Sequence, residues 1–324
     1  MRYIVTGVDG QLGGRVAANM LNEVSGEQLI FTCPDLTRLP DIKVELWKNK
    51  GVSIQEANYS NKEQLIEAFK GGDRIYVISG VMIGPERIQQ HKNAIDAAKE
   101  AGVGHITYTS FLGANREGYY QYVIPDHTAT EEHLRDCGIE YNIMRNNLYL
   151  ENYLTTSVML ALLSKNKWCT TAGEGKATYI AKDDSARVAA ALLLGKGELN
   201  QDYDVTGGEL ICQREICSLI SKASGVNFEY IPADYDQFYA YLDAIHIPRA
   251  SDGDYSKSPV PWCSNDMVTN EASISDGLMA IETDTVEKLT GRKPLTARDL
   301  LDNYSFVWKE KVTNWAELSR RMLV

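Results

Sequence analysis

Residues 6–21 read TGVDGQLGGRVAANML and follow directly on the apolar run YIV at positions 3–5. Gly7, Gly10 and Gly13 stand at GxxGxxG spacing, with a strand-like run before them and an amphipathic helical stretch after. The three glycines differ in what they make possible. Gly7 permits the tight turn, Gly10 lets the backbone approach a pyrophosphate, and Gly13 lets helix pack on strand. The free N–H groups and positive end of the following helix then hold the phosphates. This pattern predicts a dinucleotide site whose contacts come from Thr6, Gly7, Gly10, Gln11, Leu12 and Gly13.

Outward from that turn, the first 145 residues alternate short apolar β-branched runs with helical stretches, the pattern of an α/β parallel sheet wrapped by crossover helices. Strands are expected over 2–6, 28–32, 52–56, 74–78, 105–109 and 140–145, and a packing helix over 87–101. Ligands of such sheets bind at the carboxyl ends of the strands. That rule nominates Asn58 and Tyr59 after the third strand, Ser79 and Gly80 after the fourth, and Ser110 and Phe111 after the fifth. The second strand runs into LIFTCPDLTRL (29–39), where Asp35 favours the ribose 2′-hydroxyl of NADH and Arg38 the 2′-phosphate of NADPH. Asp35 reads equally as an N-cap, and these residues leave the two cofactors open. The sixth strand leads into MRNNLYLENY (144–153), whose Asn146 and Tyr149 stand where a nicotinamide carboxamide or a substrate oxygen is met. The plainer reading is that Asn146 and Asn147 cap the next helix.

Of 324 residues, 33 are Lys or Arg and 44 Asp or Glu, a formal charge of −11, with 44% hydrophobic residues. An acidic surface repels phosphate backbones and anionic lipid, so neither nucleic acid nor membrane is an expected partner. The six cysteines are scattered without metal-ligand spacing and read as reduced thiols; no metal site is expected. With no charged-then-apolar leader and no apolar run near 18 residues, a cytoplasmic protein is expected.

After residue 150 the pattern shifts to mixed helices, short strands and longer loops, giving a division into a dinucleotide-binding domain (1–150, with later segments able to return to it) and a substrate lobe (151–324). Residues 247–265, IPRASDGDYSKSPVPWCSN, lack periodicity and read as a lid loop with Trp262 and Tyr255 as apolar anchors. Tyr119, Tyr120 and Tyr122 form an aromatic group suited to stacking on a planar ring, and His246 precedes the lid. Candidate substrate contacts are thus Tyr122, Tyr149, His246 and Trp262. His91, His105 and His133 read as structural, and the pairs Glu131/Glu132 and Asp183/Asp184 as helix-start charges.

The stretches VTGVDGQLGG, ANYSNKEQLIEAFKGGDRIYVISG, AAKEAGVGHITYTS, DHTATEEHLRDCGIEYNIMRNNLYLENY and YIAKDDSARVAAALLLG run in one order across most of the chain. Together they resemble the NmrA-like group of atypical short-chain dehydrogenase/reductases. The likeness is greatest to the branch of bacterial triphenylmethane reductases and NAD(P)H quinone oxidoreductases, and weaker to plant phenylpropanoid and lignan reductases. The resemblance implies a Rossmann-type doubly wound sheet with a smaller mixed α/β C-terminal substrate lobe; a monomer or homodimer is expected. It also implies hydride transfer from NADPH or NADH to a planar aromatic, quinone-like or quinone-methide-like small molecule.

Departures from the family pattern matter as much. Where short-chain dehydrogenases carry Tyr-xxx-Lys, this chain has Val123 and His127. A lysine at the place of His127 assists catalysis in the phenylpropanoid branch, so His127 either delivers a proton or positions the nicotinamide ribose; with Asn146 it forms the candidate catalytic pair. The family's arginine after the second strand is replaced by Pro34, which weakens the inference to NADPH. The founding members of the group are dinucleotide-sensing regulators, and a non-catalytic NAD(P) sensor is the rival reading. An epimerase or isomerase is a third, without its usual base.

Overall fold

The computed structural model describes residues 1–323. Seven parallel strands form the central sheet: β1 (Tyr3–Val5), β2 (Leu29–Cys33), β3 (Ser53–Glu56), β4 (Arg74–Val77), β5 (His105–Phe111), β6 (Glu140–Asn146) and an edge strand, Gln201–Val205. Their order is β3-β2-β1-β4-β5-β6 followed by Gln201–Val205. The six strands read from the sequence lie within a residue or two of those observed. Chain order reverses between β1 and β4, which opens a crevice above their carboxyl ends.

Successive side chains of a strand point to opposite faces, so β1 sends Tyr3 and Val5 into one layer and Ile4 into the other. The first layer packs α1 (Gln11–Glu23) and the helix Lys182–Leu193 through Leu12, Val16, Met20, Val188 and Leu192. The second packs α3 (Lys62–Phe69), α4 (Pro85–Glu100) and α5 (Ile124–Asp136) through Leu65, Phe69, Ile95 and Leu134; the short α2 (Asp41–Asn49) adds Trp47 to the first layer. Both faces are covered, which is why the strands read as near-continuous apolar runs. Each large side chain fully buried this way contributes about 1.5–3 kcal/mol.

A separate core, including Tyr153, Met159, Trp168, Ile216, Phe238, Val268 and Val307, builds the lobe, with two-stranded pairings of Lys176–Ala177 with Ile211–Cys212 and of Lys167–Thr170 with Glu229–Pro232. The chain does not pass into this lobe once and stay: Lys182–Leu193 and Gln201–Val205 return to complete the sheet. The stretch before Ser264 is irregular as expected, but Ser264 and Asn265 already begin the helix Ser264–Ser275. The loop is closed at its base, where Pro248 O accepts from Ser264 N (2.8 Å) and Arg249 O from Asn265 N (3.1 Å). All six cysteines are free thiols, and among the described residues no helix is long and apolar enough to cross a membrane.

Candidate functional site

Gly7 takes φ +64, and a Cβ there would meet Ile78 Cγ2 at 2.6 Å; a Cβ on Gly13 would meet Gly7 O at 2.1 Å, so α1 is pressed against the turn. Gly10 differs: its Cβ would find nothing closer than Gly7 O at 3.4 Å. Gly10 is the N-cap of α1, no side chain caps that helix, and its first-turn N–H groups are left for an anion. Val8 N donates to Thr32 O (3.1 Å) and lays the turn over the end of β2. Leu12 is buried in the core layer.

Thr6 and Tyr59 join strand ends rather than stand free. Thr6 Oγ1 donates to Tyr76 O (3.0 Å), accepts from Ile78 N (3.0 Å) and lies 2.6 Å from the Tyr59 hydroxyl, which also reaches Ile78 O. Asn58 is exposed, its Oδ1 taken by Ser60 N. Gln11 Oε1 accepts from Lys182 Nζ at 2.6 Å, and the same ammonium reaches Asn152 Oδ1 at 3.3 Å. Burial pulls the Lys182 pKa down to about 8 against the opposing pull of Glu151. Nothing in the local sequence singles out Lys182.

At the adenosine end, Asp35 caps the short 3-10 turn Leu36–Arg38, its Oδ1 accepting from Thr37 N (2.9 Å) and Thr37 Oγ1 (2.6 Å). Arg38 is turned to Asp9 Oδ2 at 2.9 Å. Asp9 also escaped the sequence reading; the signal was an acid lying between two glycines of an anion-cradling turn. Its side chain is only 5% exposed.

At the other end, four groups fix one tautomer after another. Gly80 N donates to His91 Nε2 (2.8 Å), so the His91 proton is on Nδ1 and goes to Thr130 Oγ1 (2.9 Å), whose own proton goes to Asp126 O. Tyr108 OH, 3.3 Å from the same Nδ1, accepts there and gives its proton to His127 Nδ1 at 2.9 Å. The His127 proton therefore sits on Nε2. Burial, then Arg87 and His91, hold the His127 pKa well below the usual range, so the ring is neutral at neutral pH. With Nδ1 taken by Tyr108 and its proton on Nε2, the neutral His127 ring presents a hydrogen-bond donor on its other side. Its ring lies roughly parallel to that of Phe111, with centroids 6.2 Å apart. Asp126 faces Gly84 N and Arg87 instead.

Ser110 is turned away from the crevice mouth. Its Oγ donates to Glu131 Oε1 (2.6 Å), and Arg145 grips both oxygens of that carboxylate at 2.9 and 2.6 Å. Glu131 is consequently no helix-start charge but a fully buried mid-helix partner of Arg145. Asn146 Nδ2 donates to Tyr149 OH (3.0 Å), while Asn146 Oδ1 is buried without a partner. Asn147 bonds Thr178 and Met279 O, so neither amide caps the following helix. Burial raises the Tyr149 phenol to about 12. Ser79 lies half-buried beside Gly80 at the end of β4.

The substrate candidates are dispersed. Tyr119 donates to Leu278 O, Tyr120 to Asp276, and the Tyr122 backbone to Thr269 Oγ1, so this segment fastens the first domain to the lobe. Tyr122 remains half-buried. His246 is exposed at φ +64 just past the helix Tyr235–Ala244. Trp262 meets Trp315 edge-on, with ring centroids at 4.5 Å, and anchors the loop to the last helix.

Residues 2–252 match the model of the NmrA-like family. This chain belongs to the NmrA-like family. Among NmrA-like relatives, quinone oxidoreductase 2 of Escherichia coli strain K12 is 28% identical over 292 residues, covering 90% of this chain and 94% of that protein. The structure of the NADPH-dependent quinone oxidoreductase from E. coli complexed with NADPH superposes with a TM-score of 0.80 at 28% identity, covering 95% of this chain and 100% of that one. Triphenylmethane reductase of Citrobacter sp. complexed with NADP(H) gives 0.79 at 25% identity over 93% of this chain and 99% of that one. The NmrA-like site here fits a dinucleotide by its own features: open space at Gly10, an uncapped α1 and an unsatisfied Asn146 Oδ1.

Proposed function

We propose that this NmrA-like protein is an NAD(P)H-dependent reductase acting on a planar aromatic, quinone-like or quinone-methide-like small molecule. It is an oxidoreductase, and its cofactor is a nicotinamide dinucleotide, NADPH or NADH. The turn at Gly7–Gly13 and the start of α1 hold the pyrophosphate, and Asn146 Oδ1 accepts from the carboxamide. Bound cofactor supplies the hydride.

The observation that carries the substrate class is the protonation state of the groups around that end. His127 is neutral and Tyr149 keeps its proton until about pH 12, so both are weaker acids than a proton donor tuned to neutral pH and act mainly by hydrogen bonding to developing negative charge. Such a site suits an acceptor whose reduced form is a delocalised anion, or a cation neutralised by hydride, rather than a simple ketone that needs concerted protonation. Val81 and Met82, exposed on the loop leaving β4, offer apolar surface to a flat ring.

The test is to mix the purified protein with NADH or NADPH and a panel of quinones, triphenylmethane dyes, azo dyes, benzylic ethers and simple ketones, following the reduced nicotinamide band. Turnover is expected with quinones and cationic dyes and not with ketones. Dinucleotide binding without turnover of any acceptor would instead support a sensor.

A further inference from the structure

Resting on the reading that this site takes a nicotinamide dinucleotide, we propose that its adenosine end selects NADH over NADPH, and that Asp9 is the selecting residue. Asp9 lies in the glycine turn directly above the end of β2, held there by Val8 N on Thr32 O at 3.1 Å. That is where the adenosine ribose of a bound dinucleotide meets the protein. The Asp9 side chain is 5% exposed, whereas its partner Arg38 is 57% exposed and reaches inward to it at 2.9 Å. The cation that sequence reasoning offers to a 2′-phosphate is thus already engaged, by a carboxylate inside the phosphate-binding turn.

The charges sharpen the point. Burial pushes the Asp9 carboxyl above its usual range, Arg38 pulls it back, and Asp35 adds to the rise, so a second carboxylate is within electrostatic reach. Burial and then Asp9 likewise push the Cys33 thiol, at the last position of β2, up to about 11. Asp9 and Asp35 against Arg38 leave one net negative charge beside the ribose. A 2′-phosphate brings nearly two more at neutral pH. A 2′-phosphate on the remaining N–H groups of Arg38 would lie against the carboxylate that Nη2 already holds, setting a dianion beside the enclosed Asp9 anion. The 2′-hydroxyl of NADH has no such conflict, because an ionised carboxylate is an acceptor for it.

Dissociation constants for NADH and NADPH, measured by calorimetry on the full chain, decide the selection. The unmodified protein should bind NADH at least about tenfold more tightly. Asp9→Ala should free Arg38 and raise NADPH affinity about tenfold while weakening NADH, which loses an acceptor for its 2′-hydroxyl, and Asp9→Ala/Arg38→Ala should lose the gain for NADPH. A thermal melt of each variant separates loss of fold from loss of selectivity, and the parent's ratio stands without any variant. Equal or tighter binding of NADPH by the parent overturns the selection by Asp9 and leaves the reductase reading intact. Binding of neither dinucleotide overturns the reductase reading itself.

Discussion

The hydroxyl of Tyr108 and Nδ1 of His127 lie 2.9 Å apart in a buried pair, and the direction of that hydrogen bond is dictated by His91 on the other side of the phenol. It sets the His127 proton on Nε2, while burial, Arg87 and His91 keep the ring neutral. Tyr108→Phe removes that constraint and should lower turnover about fivefold, the equivalent of about 1 kcal/mol, with dinucleotide affinity unchanged. His127→Ala should cost on the order of a hundredfold if Nε2 stabilises charge on the substrate. In the parent's pH–rate profile no limb near ~6.5 is expected, because the folded pKa of His127 lies well below that of a free imidazole. A limb there that vanishes in His127→Ala would show that the ring titrates after all.

Gly10 and Gly13 should separate binding from folding. A side chain at Gly10 meets only Gly7 O at 3.4 Å, and its φ −95, ψ 172 suits any residue. Gly10→Val should therefore melt near the parent temperature yet show no heat of dinucleotide binding. Gly13→Ala drives a Cβ to 2.1 Å from Gly7 O and should destabilise by about 1–3 kcal/mol or more. Normal dinucleotide affinity in Gly10→Val would place the pyrophosphate elsewhere.

Glu131 and Arg145 form a bidentate pair with no exposed carboxylate oxygen to hydrate. Glu131→Gln leaves Arg145 under-compensated and should cost roughly 3 kcal/mol in urea unfolding. Ser110→Ala removes one donor from the same carboxylate and should cost about 1–2 kcal/mol. Its dinucleotide affinity should match the parent, since Ser110 is directed at Glu131; a clear loss would return Ser110 to the cofactor site.

Glu271 lies half-buried on the helix Ser264–Ser275, where desolvation raises its pKa to about 7 against the pull of Gln213, Thr170 and Tyr153. The folded value exceeds the unfolded one, about 4.3, so the native state binds the proton first. The resulting stability is complete below about pH 4.3 and is lost as pH rises through about 7. Glu271→Gln cannot ionise, so its melting temperature should gain on the parent's between pH 5 and 8. A constant offset across that range would mean Glu271 titrates normally in the fold.

Much of the frame is legible because its causes are local. A strand buried on both faces must be apolar throughout, and a turn that brings helix onto strand must lack a Cβ, so VTG and the spacing of Gly7, Gly10 and Gly13 carry their meaning within a few residues. The reading of Asp35 as a cap is available for the same reason, its partner Thr37 being two residues on. Legibility fails where a residue's state depends on what folding brings beside it. His127 reads as a titrating group because its sequence neighbours do not reveal Tyr108, His91 and Arg87, and Glu131 reads as a surface charge because Arg145 belongs to a different element.

Local chemistry along the chain sets the parallel sheet, the glycine turn and the family pattern. Burial periodicity and backbone sterics are properties of short segments, and they act before the chain has closed. Which charges are paired and which protons are held is set when distant segments pack together. Asp9 meets Arg38 across two strand ends, and Gln11 meets Lys182 from 171 residues away. Desolvation and Coulomb forces depend on distance in space and on the exclusion of water, and neither exists until those elements pack.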